Sequence, residues 1–266
     1  MQPLLTFIHL TDTHLGPTRG YSLHGQNPAR CLERLVDVIN AMPQPPDFAL
    51  HTGDLSDDRS AESYAVAQDI LGGLRVPLYL VNGNHDDRAL LRRCLDAPPH
   101  PTGDPAAPLD YAFEINGERF LVLDAHTDAV PDPLGHLSDD QLAWARSEAQ
   151  PDGPPLTVLL HYPLFPMGSP WLDENMLLVN GAALHDALIP ARDRLRGVFF
   201  GHLHRSCQIV RDGIRYTSAG SVVLQYAWQP WDDRPQVDPD FAPTYNVVQY
   251  FDHQVIVTQR GFARPE

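Results

Sequence analysis

The chain has 266 residues, of which 43% are hydrophobic and 20% charged, and this suits one sizeable α/β domain. Its net charge of −15 and its lack of lysine argue against broad nucleic-acid binding and exclude mechanisms that need a lysine. No apolar run approaches the ~18 residues of a membrane span, the first residues do not resemble a signal peptide, and the three cysteines are widely separated. We therefore predict a cytoplasmic protein without a membrane span.

The first half of the chain alternates predicted strands and helices. Asn27 followed by Pro28 is typical of a helix start, and the prolines within residues 43–46 end that helix. Strand, helix and strand in succession favour parallel pairing with right-handed crossovers. The predicted elements are strands over 4–10, 48–51 and 78–81, a helix from 28, and a helix over 60–71.

The second half begins with a predicted hairpin, because Asn116-Gly117 is typical of a type I′ turn. Ser138 and Gln141 form a capping box before a helix that runs to about residue 148. Asn180 is the predicted cap of a helix over 182–189. Strands are predicted over 111–115, 118–123, 156–160 and 197–200, on both sides of Asp212-Gly213, and over 246–250 and 254–259.

Polar clusters follow the strands at the points where the apolar runs end. Because ligands of open α/β sheets bind outside the carboxyl ends of the strands, five such ends predict one common site. The clusters are Asp12-Thr13-His14, Gly53-Asp54, Gly83-Asn84-His85-Asp86, His161 and Gly201-His202-Leu203-His204.

The side chains in these clusters are suited to metal ions. Asp12-x-His14 is expected to be extended, so that both side chains lie on one side of the segment, and His202-x-His204 repeats this arrangement. Carboxylate and amide oxygens together with imidazoles favour zinc, manganese or iron over calcium or magnesium. Asp54 follows a glycine at a sharp turn, and its two oxygens are able to bridge two metals.

Each cluster by itself has a simpler explanation. A Gly-Asp step is commonly a turn, and Asn84 is a suitable helix cap. His161 alone would be read as a hydrogen-bonded residue at a strand end, and His202 and His204 as solvated loop histidines. These explanations would all have to hold at once, each at a strand end, so the joint pattern favours a metal site.

The five clusters together resemble the signature of calcineurin-like metallophosphoesterases. The closest resemblance is to the bacterial class III branch of cyclic-nucleotide phosphodiesterases and glycerophosphodiesterases. It implies an α/β fold, a four-layer αββα sandwich of two mixed sheets flanked by helices. It also implies two divalent or trivalent transition-metal ions, with manganese, iron and zinc left open. One metal would be held by Asp12, His14, Asp54 and His204, and the other by Asp54, Asn84, His161 and His202.

A two-metal site implies a mechanism for phosphoester hydrolysis. Cations ~3.5–4 Å apart would bind the phosphoryl oxygens and lower the pKa of a bridging water, whose hydroxide would attack phosphorus. They would also offset the acidity of the protein for an anionic substrate. The resemblance makes His85 the residue that contacts phosphate or protonates the leaving oxygen, with Asp86 orienting it; the alternative for His85 is a purely structural imidazole.

Substrate contacts are predicted for Asn84, His85, His24 and Trp171. Trp171 lies in the loop after His161 and is suited to stack on a nucleotide base, although filling a protein interface is an alternative for this residue. The predicted activity is hydrolysis of small phosphodiesters, with 3′,5′-cyclic nucleotides (cAMP) first. Glycerophosphodiester hydrolysis or broad phosphomonoesterase and diesterase activity is the alternative. A DNA-repair nuclease would need a basic patch, and a non-catalytic scaffold would not need the intact ligand positions.

The predicted organisation is one metallophosphoesterase domain over residues 1–266. The segment at about 226–266 is predicted as either a cap over the cleft or an oligomerisation element, because residues 226–243 are rich in Pro, Trp and Asp without a regular period. The family resemblance favours a dimer or a larger homo-oligomer. The predicted partners are thus a small diester and further copies of the chain, with no stable nucleic-acid binding.

Overall fold

Two large β-sheets lie face to face at the centre of the structure. A computed structural model describes residues 2–229 and 231–265; Met1, Pro230 and Glu266, which belong to the two ends of the predicted domain and to the predicted segment at about 226–266, lie outside it. The strands are β1 (Leu5–Leu10), β2 (Phe48–His51), β3 (Leu78–Leu80), β4 (Tyr111–Ile115), β5 (Glu118–Val122), β6 (Leu156–Leu159), β7 (Leu195–Phe200), β8 (Gln208–Arg211), β9 (Ile214–Ser218), β10 (Gln225–Ala227), β11 (Gln236–Asp238), β12 (Thr244–Tyr250) and β13 (Val255–Gly261).

Both large sheets are mixed. The first has the strand order β13-β12-β1-β2-β3, and the second has the order β4-β5-β6-β7-β9-β8. In the first sheet β1, β2 and β3 are parallel, and β12 runs antiparallel to β1 with Leu5 opposite Tyr250. In the second, β5, β6, β7 and β9 are parallel. The carboxyl ends of the parallel strands therefore lie at one edge of each sheet.

Helices cover the outer face of each sheet. No helix within the described residues is long and apolar enough to cross a membrane. The helices are α1 (Pro28–Asn40), α2 (Ala61–Leu71), α3 (Arg88–Leu95), α4 (Asp139–Glu148), α5 (Pro170–Asn175) and α6 (Gly181–Leu188), followed by a short 3₁₀ turn at Ile189–Ala191.

Successive side chains of each strand point to opposite faces of the sheet, and this separates the apolar side chains into distinct layers. In β1, Phe7 points into the space between the sheets, whereas Ile8 points towards α1 and α2. Phe7 stacks on Phe48 with the ring centroids 4.9 Å apart and meets Phe199 of the second sheet edge to face. A third apolar layer lies between the second sheet and the helices α4 to α6. Three apolar layers between four layers of secondary structure confirm the predicted αββα sandwich.

Local capping signals account for several element boundaries. The Asn27 side chain accepts a hydrogen bond from the Arg30 amide at the start of α1, and Ser138 forms its capping box at the start of α4. Asn116 and Gly117 have φ values of 53° and 80°, which fits the predicted type I′ turn. Asn180 precedes α6 as predicted, but its side chain binds the backbone of Leu137 instead of capping the helix.

Short elements near the predicted site were missed in the sequence. Helix α3 begins directly after Asp87, whose side chain caps it, and α5 lies in the loop after β6. Strands β10 and β11 pair antiparallel within the 226–243 segment. The later strands β12 and β13 complete the first sheet, so residues 244–261 belong to the sandwich itself.

Candidate metal centre

The seven predicted metal ligands come together where strands of the two sheets end. All of them are buried, with at most 5% of their surface exposed. Among these seven residues, two sets of ligand atoms lie close enough to hold an ion, and both combine residues from the two sheets; a third set joins His14 to Asp57 and His85. The first set is Asp12, His14 and His204, and the second is Asp54, His161 and His202.

The backbone that carries these residues is not extended. Asp12 and His14 have φ values of 53° and 42°, and His202 and His204 have values of 68° and 49°. The prediction of two extended Asp-x-His and His-x-His segments is therefore wrong. Left-handed backbone costs roughly 1–2 kcal/mol per non-glycine residue. Hydrogen bonds from the amides of Asp12 and His14 to the carbonyls of Gly53 and Asp54, each 3.0 Å long, hold the first of these turns.

Asp54 lies between the two sets. Its Oδ2 is 3.6 Å from Nε2 of His14 and 3.3 Å from Nε2 of His161. Nε2 of His14 is in turn 3.0 Å from Nε2 of His204, and His204 lies 3.5 Å from Oδ1 of Asp12. The carboxylate of Asp54 is thus placed to serve both sets of ligand atoms.

Outer hydrogen bonds fix the tautomers of three of the four histidines, His14, His161 and His202. His161 donates from Nδ1 to the Thr52 carbonyl at 2.7 Å, and His14 donates from Nδ1 to the Asp57 carboxylate at 3.1 Å. His202 donates from Nε2 to the Pro133 carbonyl at 3.1 Å. In each ring the other nitrogen is left with its lone pair, which is the arrangement of metal-binding histidines.

Glycines allow the loops to approach one another. Gly53 has a φ of 98°, and a Cβ there would lie 2.5 Å from Nδ1 of His161. A Cβ at Gly83 would lie 2.2 Å from Oδ1 of Asp54. Since neither position has room for a side chain, the Gly-Asp and Gly-Asn steps of the sequence are required by close packing at this site.

Burial and mutual charge shift the pKa values of the cluster. Burial raises the pKa of Asp12 to about 6. Burial would lower the pKa of His161, but the Asp54 carboxylate beside it raises that pKa to about 9. Although burial opposes it, the His161 charge holds the pKa of Asp54 well below its usual range. The buried carboxylates therefore need positive charge close by, which a protonated histidine or a metal cation supplies.

Unpartnered polar atoms test whether metal ions fit this cluster. Within the described residues, Oδ1 of Asp12, Oδ1 of Asn84 and Nε2 of His161 are buried without a hydrogen-bond partner. Buried polar atoms in native proteins are almost always bonded, and each exception calls for a missing partner. All three atoms are good metal ligands, so the donor set fits transition-metal ions.

His85 lies at the rim of the cluster, with 40% of its side chain exposed. Its Nδ1 donates to the backbone carbonyl of Asp57 at 2.9 Å. Asp86 does not orient it, contrary to the prediction, because the Asp86 carboxylate is buried and accepts hydrogen bonds from the amides of Leu55 and Gly83 and from the Tyr64 hydroxyl.

Asp57 was missed in the sequence. Its backbone binds His85, and its carboxylate accepts hydrogen bonds from His14 and, at 2.5 Å, from the Tyr21 hydroxyl. Asp57 stands three residues after Asp54, but acidic residues are frequent in this stretch, since Asp58 follows directly. Only the packing distinguishes Asp57 from its neighbour.

A cleft of about 640 Å³ opens above the cluster. His24 and Trp171 line it, as predicted, and so does His85. One wall of the cleft comes from the segment predicted as a cap or an oligomerisation element, and the strands β10 and β11 within it were not predicted. The residues of that wall are Tyr226, Arg234, Pro235, Gln236 and Val237.

Known proteins share this sequence pattern and this fold. The model of the calcineurin-like phosphoesterase family matches residues 5–206. The 3′,5′-cyclic adenosine monophosphate phosphodiesterase CpdA of Pseudomonas aeruginosa is 33% identical over 83% of this chain and 77% of its own. The glycerophosphodiester phosphodiesterase GpdQ of Enterobacter lignolyticus is 28% identical over 88% of this chain and 83% of its own. A dimetal phosphatase from Danio rerio superposes with a TM-score of 0.71 over 98% of this chain and 97% of its own, at 14% identity.

A two-sheet sandwich with clustered aspartate and histidine side chains at its strand ends defines a metal-dependent hydrolase of phosphoesters. The chain belongs to the calcineurin-like phosphoesterase family, as its sequence clusters predicted.

Proposed function

We propose that the protein is a dinuclear-metal phosphodiesterase that hydrolyses small phosphodiesters, with 3′,5′-cyclic nucleotides such as cAMP first. The observation that carries the proposal is the position of Asp54, within 3.6 Å of a histidine of each ligand set. A carboxylate shared in this way is what two neighbouring cations require.

Each proposed metal has four ligands, and the two sets share Asp54. Two ions held there would bind phosphoryl oxygens, neutralise developing charge and activate water. Manganese, iron and zinc all suit mixed oxygen and imidazole ligation. One set is Asp12, His14, Asp54 and His204, and the other is Asp54, Asn84, His161 and His202.

His85 is the proposed acid for the leaving oxygen. The Nδ1 of His85 is already bonded to the Asp57 carbonyl, so Nε2 is the ring nitrogen left for a substrate. The ring lines the cleft. With both ring nitrogens protonated, His85 gives the proton on Nε2 to the departing alkoxide and keeps the one that Nδ1 donates to the Asp57 carbonyl, a step that contributes ~10²–10⁴-fold in enzymes. The His85 amide donates to Oδ1 of Asp54 at 2.9 Å, which ties the acid to the metal cluster.

The diester preference is supported by the relatives and by the cleft. Both the CpdA and GpdQ proteins are named for phosphodiester substrates. Trp171 and His24 line the cleft beyond the cluster, and an aromatic ring there suits stacking of a nucleotide base. Glycerophosphodiesters are the second candidate, because the GpdQ relative covers as much of this chain as CpdA does.

The organisation of the protein is part of the same proposal. We place one domain over residues 1–266, which assembles as a homodimer or larger oligomer, acts in the cytoplasm and does not bind nucleic acid stably. The acidic composition supports the last point, since phosphate contacts need a basic surface. Light scattering of the purified protein measures the oligomeric state directly.

Replacement of Asp54 tests the proposed function. Asp54→Ala should lose bound metal and hydrolysis of bis(p-nitrophenyl) phosphate together, measured by metal analysis and turnover with manganese, iron or zinc added. Asp193→Ala is the matched control, because that side chain is 98% exposed and lies outside the cleft lining. Metal-dependent turnover retained in Asp54→Ala would overturn the assignment. Comparison of cAMP, glycerophosphodiesters and phosphomonoesters on the wild type ranks the substrates.

His85→Ala separates the proposed acid from the ligands. Metal content should survive, while turnover falls most for substrates with poor leaving groups, because those need the proton most. A variant that loses its metals instead would show that His85 acts as a ligand or as a support for one.

A further inference from the structure

The hairpin formed by the antiparallel strands β10 and β11 contributes, with Arg234 and Pro235 before β11, one wall of the cleft. Tyr226 donates its amide to the His204 carbonyl at 3.1 Å, and its ring stacks on the His204 ring with the centroids 4.6 Å apart. At the other end, Arg205 pairs with Asp238 at 3.5 Å. The hairpin is therefore attached at both ends to the loop that carries a proposed metal ligand.

Arg234 is the feature of this wall that stands out chemically. It is the one arginine that lines the cleft in the described part of the chain, which contains no lysine at all. Across residues 2–229 and 231–265, no carboxylate pairs with its guanidinium, although the protein carries a net charge of −15. An unpaired guanidinium in a substrate cleft is suited to bind acceptor atoms of a ligand.

The surroundings of Arg234 indicate what kind of ligand group it meets. Tyr226 and Val237 lie on the same wall, and Trp171 and Met176 also line the cleft. Apolar and aromatic side chains suit a flat ring better than a second, strongly hydrated phosphate. A planar cation in the same cleft as such side chains fits a heterocyclic base that presents hydrogen-bond acceptors.

We propose that Arg234 reads the base of a nucleotide and favours guanine over adenine. The guanidinium fork matches the O6 and N7 acceptors of guanine, whereas adenine presents one acceptor and one donor at the same edge. The inference rests on the proposed function, since it assumes that the phosphoryl group sits at the metal cluster. It keeps cyclic nucleotides as the substrate class of the proposed function and, within that class, makes cyclic GMP instead of cyclic AMP the nucleotide that binds more tightly.

The test measures binding of 5′-GMP and 5′-AMP to the metal-loaded protein by calorimetry. The wild type should bind GMP more tightly than AMP. Arg234→Gln should weaken GMP binding by about 5- to 150-fold, the value of one bidentate arginine–guanine pair, and AMP binding much less. Arg234→Lys keeps the charge but lacks the planar fork, so its affinity for GMP should lie between those of the wild type and Arg234→Gln.

Arg192→Gln, at an exposed arginine outside the cleft lining, should leave both affinities unchanged, and thermal melting shows whether each variant is folded. Equal binding of GMP and AMP by the wild type, equal weakening of both by Arg234→Gln, or no weakening of either would overturn the proposal. Absence of diester hydrolysis by the wild type would contradict the proposed function instead, because calorimetry decides the role of Arg234 without turnover.

Discussion

Two layers of buried histidines, an inner one within the strands and an outer one at the strand ends, differ in their hydrogen bonds. In the inner layer, within β1 and β2, His9 binds Thr52 and Asn246 through its two ring nitrogens, and His51 binds Thr13 and the Gly53 amide. In the outer layer, at the strand ends, the rings of His14 and His161 each make one outer hydrogen bond and point their other nitrogen at neighbouring ligand atoms.

This difference separates structural histidines from proposed ligands. A neutral imidazole has one donor and one acceptor, so two polar partners satisfy it completely, as in the inner layer. A ring with one acceptor partner and a free lone pair is prepared for a cation, as in the outer layer. Burial alone does not discriminate, because all four of these histidines are less than 5% exposed.

Replacing one histidine of each layer by alanine should give the largest difference in metal content and stability between two variants. His161→Ala should abolish one metal site and with it nearly all turnover, while the metal-free protein stays folded. His9→Ala should keep its metals but unfold more readily. It leaves the buried Thr52 hydroxyl without its partner, at ~1–3 kcal/mol for an unsatisfied group, while Asn246 keeps its hydrogen bond to the Ser218 carbonyl. Metal analysis and urea unfolding of both variants provide the measurement. Metal loss in His9→Ala with intact folding would erase the distinction.

Asp57 sharpens the comparison because its carboxylate accepts a hydrogen bond from His14 of the outer layer and it is not one of the proposed ligands. Asp57→Asn should weaken metal binding by about 10- to 100-fold, since His14 loses a charged acceptor for Nδ1. Competition with a chelator measures the change. Asp58→Asn is the control, because the Asp58 carboxylate binds Ser63 and the Ser60 amide instead of a cluster histidine. Equal effects of the two variants would mean that general charge, and not the hydrogen bond, matters.

Acid unfolding of the metal-free protein gives the smallest effect. Burial lowers the pKa of His9 to about 3, below the ordinary value of 6.5. Between these values the unfolded chain binds a proton that the folded chain does not, so stability falls as the pH drops through this window. His9→Gln should make the slope of unfolding free energy against pH shallower by about 1.4 kcal/mol per pH unit. An unchanged slope between pH 4 and 6 would contradict the neutral, structural role.

Much of the fold was predictable because its signals are local. The caps at Asn27 and Ser138 and the turn at Asn116-Gly117 depend on residues within a few positions of one another. Helix α3 was missed because the residues before it read as part of the Asn84-His85-Asp86 cluster. The 226–243 segment has no periodicity, and its two three-residue strands are defined only by pairing with each other.

The sequence by itself determined the family and the set of candidate ligands, because chemically distinctive residues recur in short blocks at strand ends. Only the tertiary structure decided how these residues are used. His51 and His161 look equivalent along the chain, and what distinguishes them is hydrogen bonding to residues as far as 109 positions away. Tertiary packing also decides that Asp57, and not Asp86, binds His85, and that Arg234 lies in the cleft wall. Such partners are set by how the two sheets and their loops pack, which no local pattern encodes.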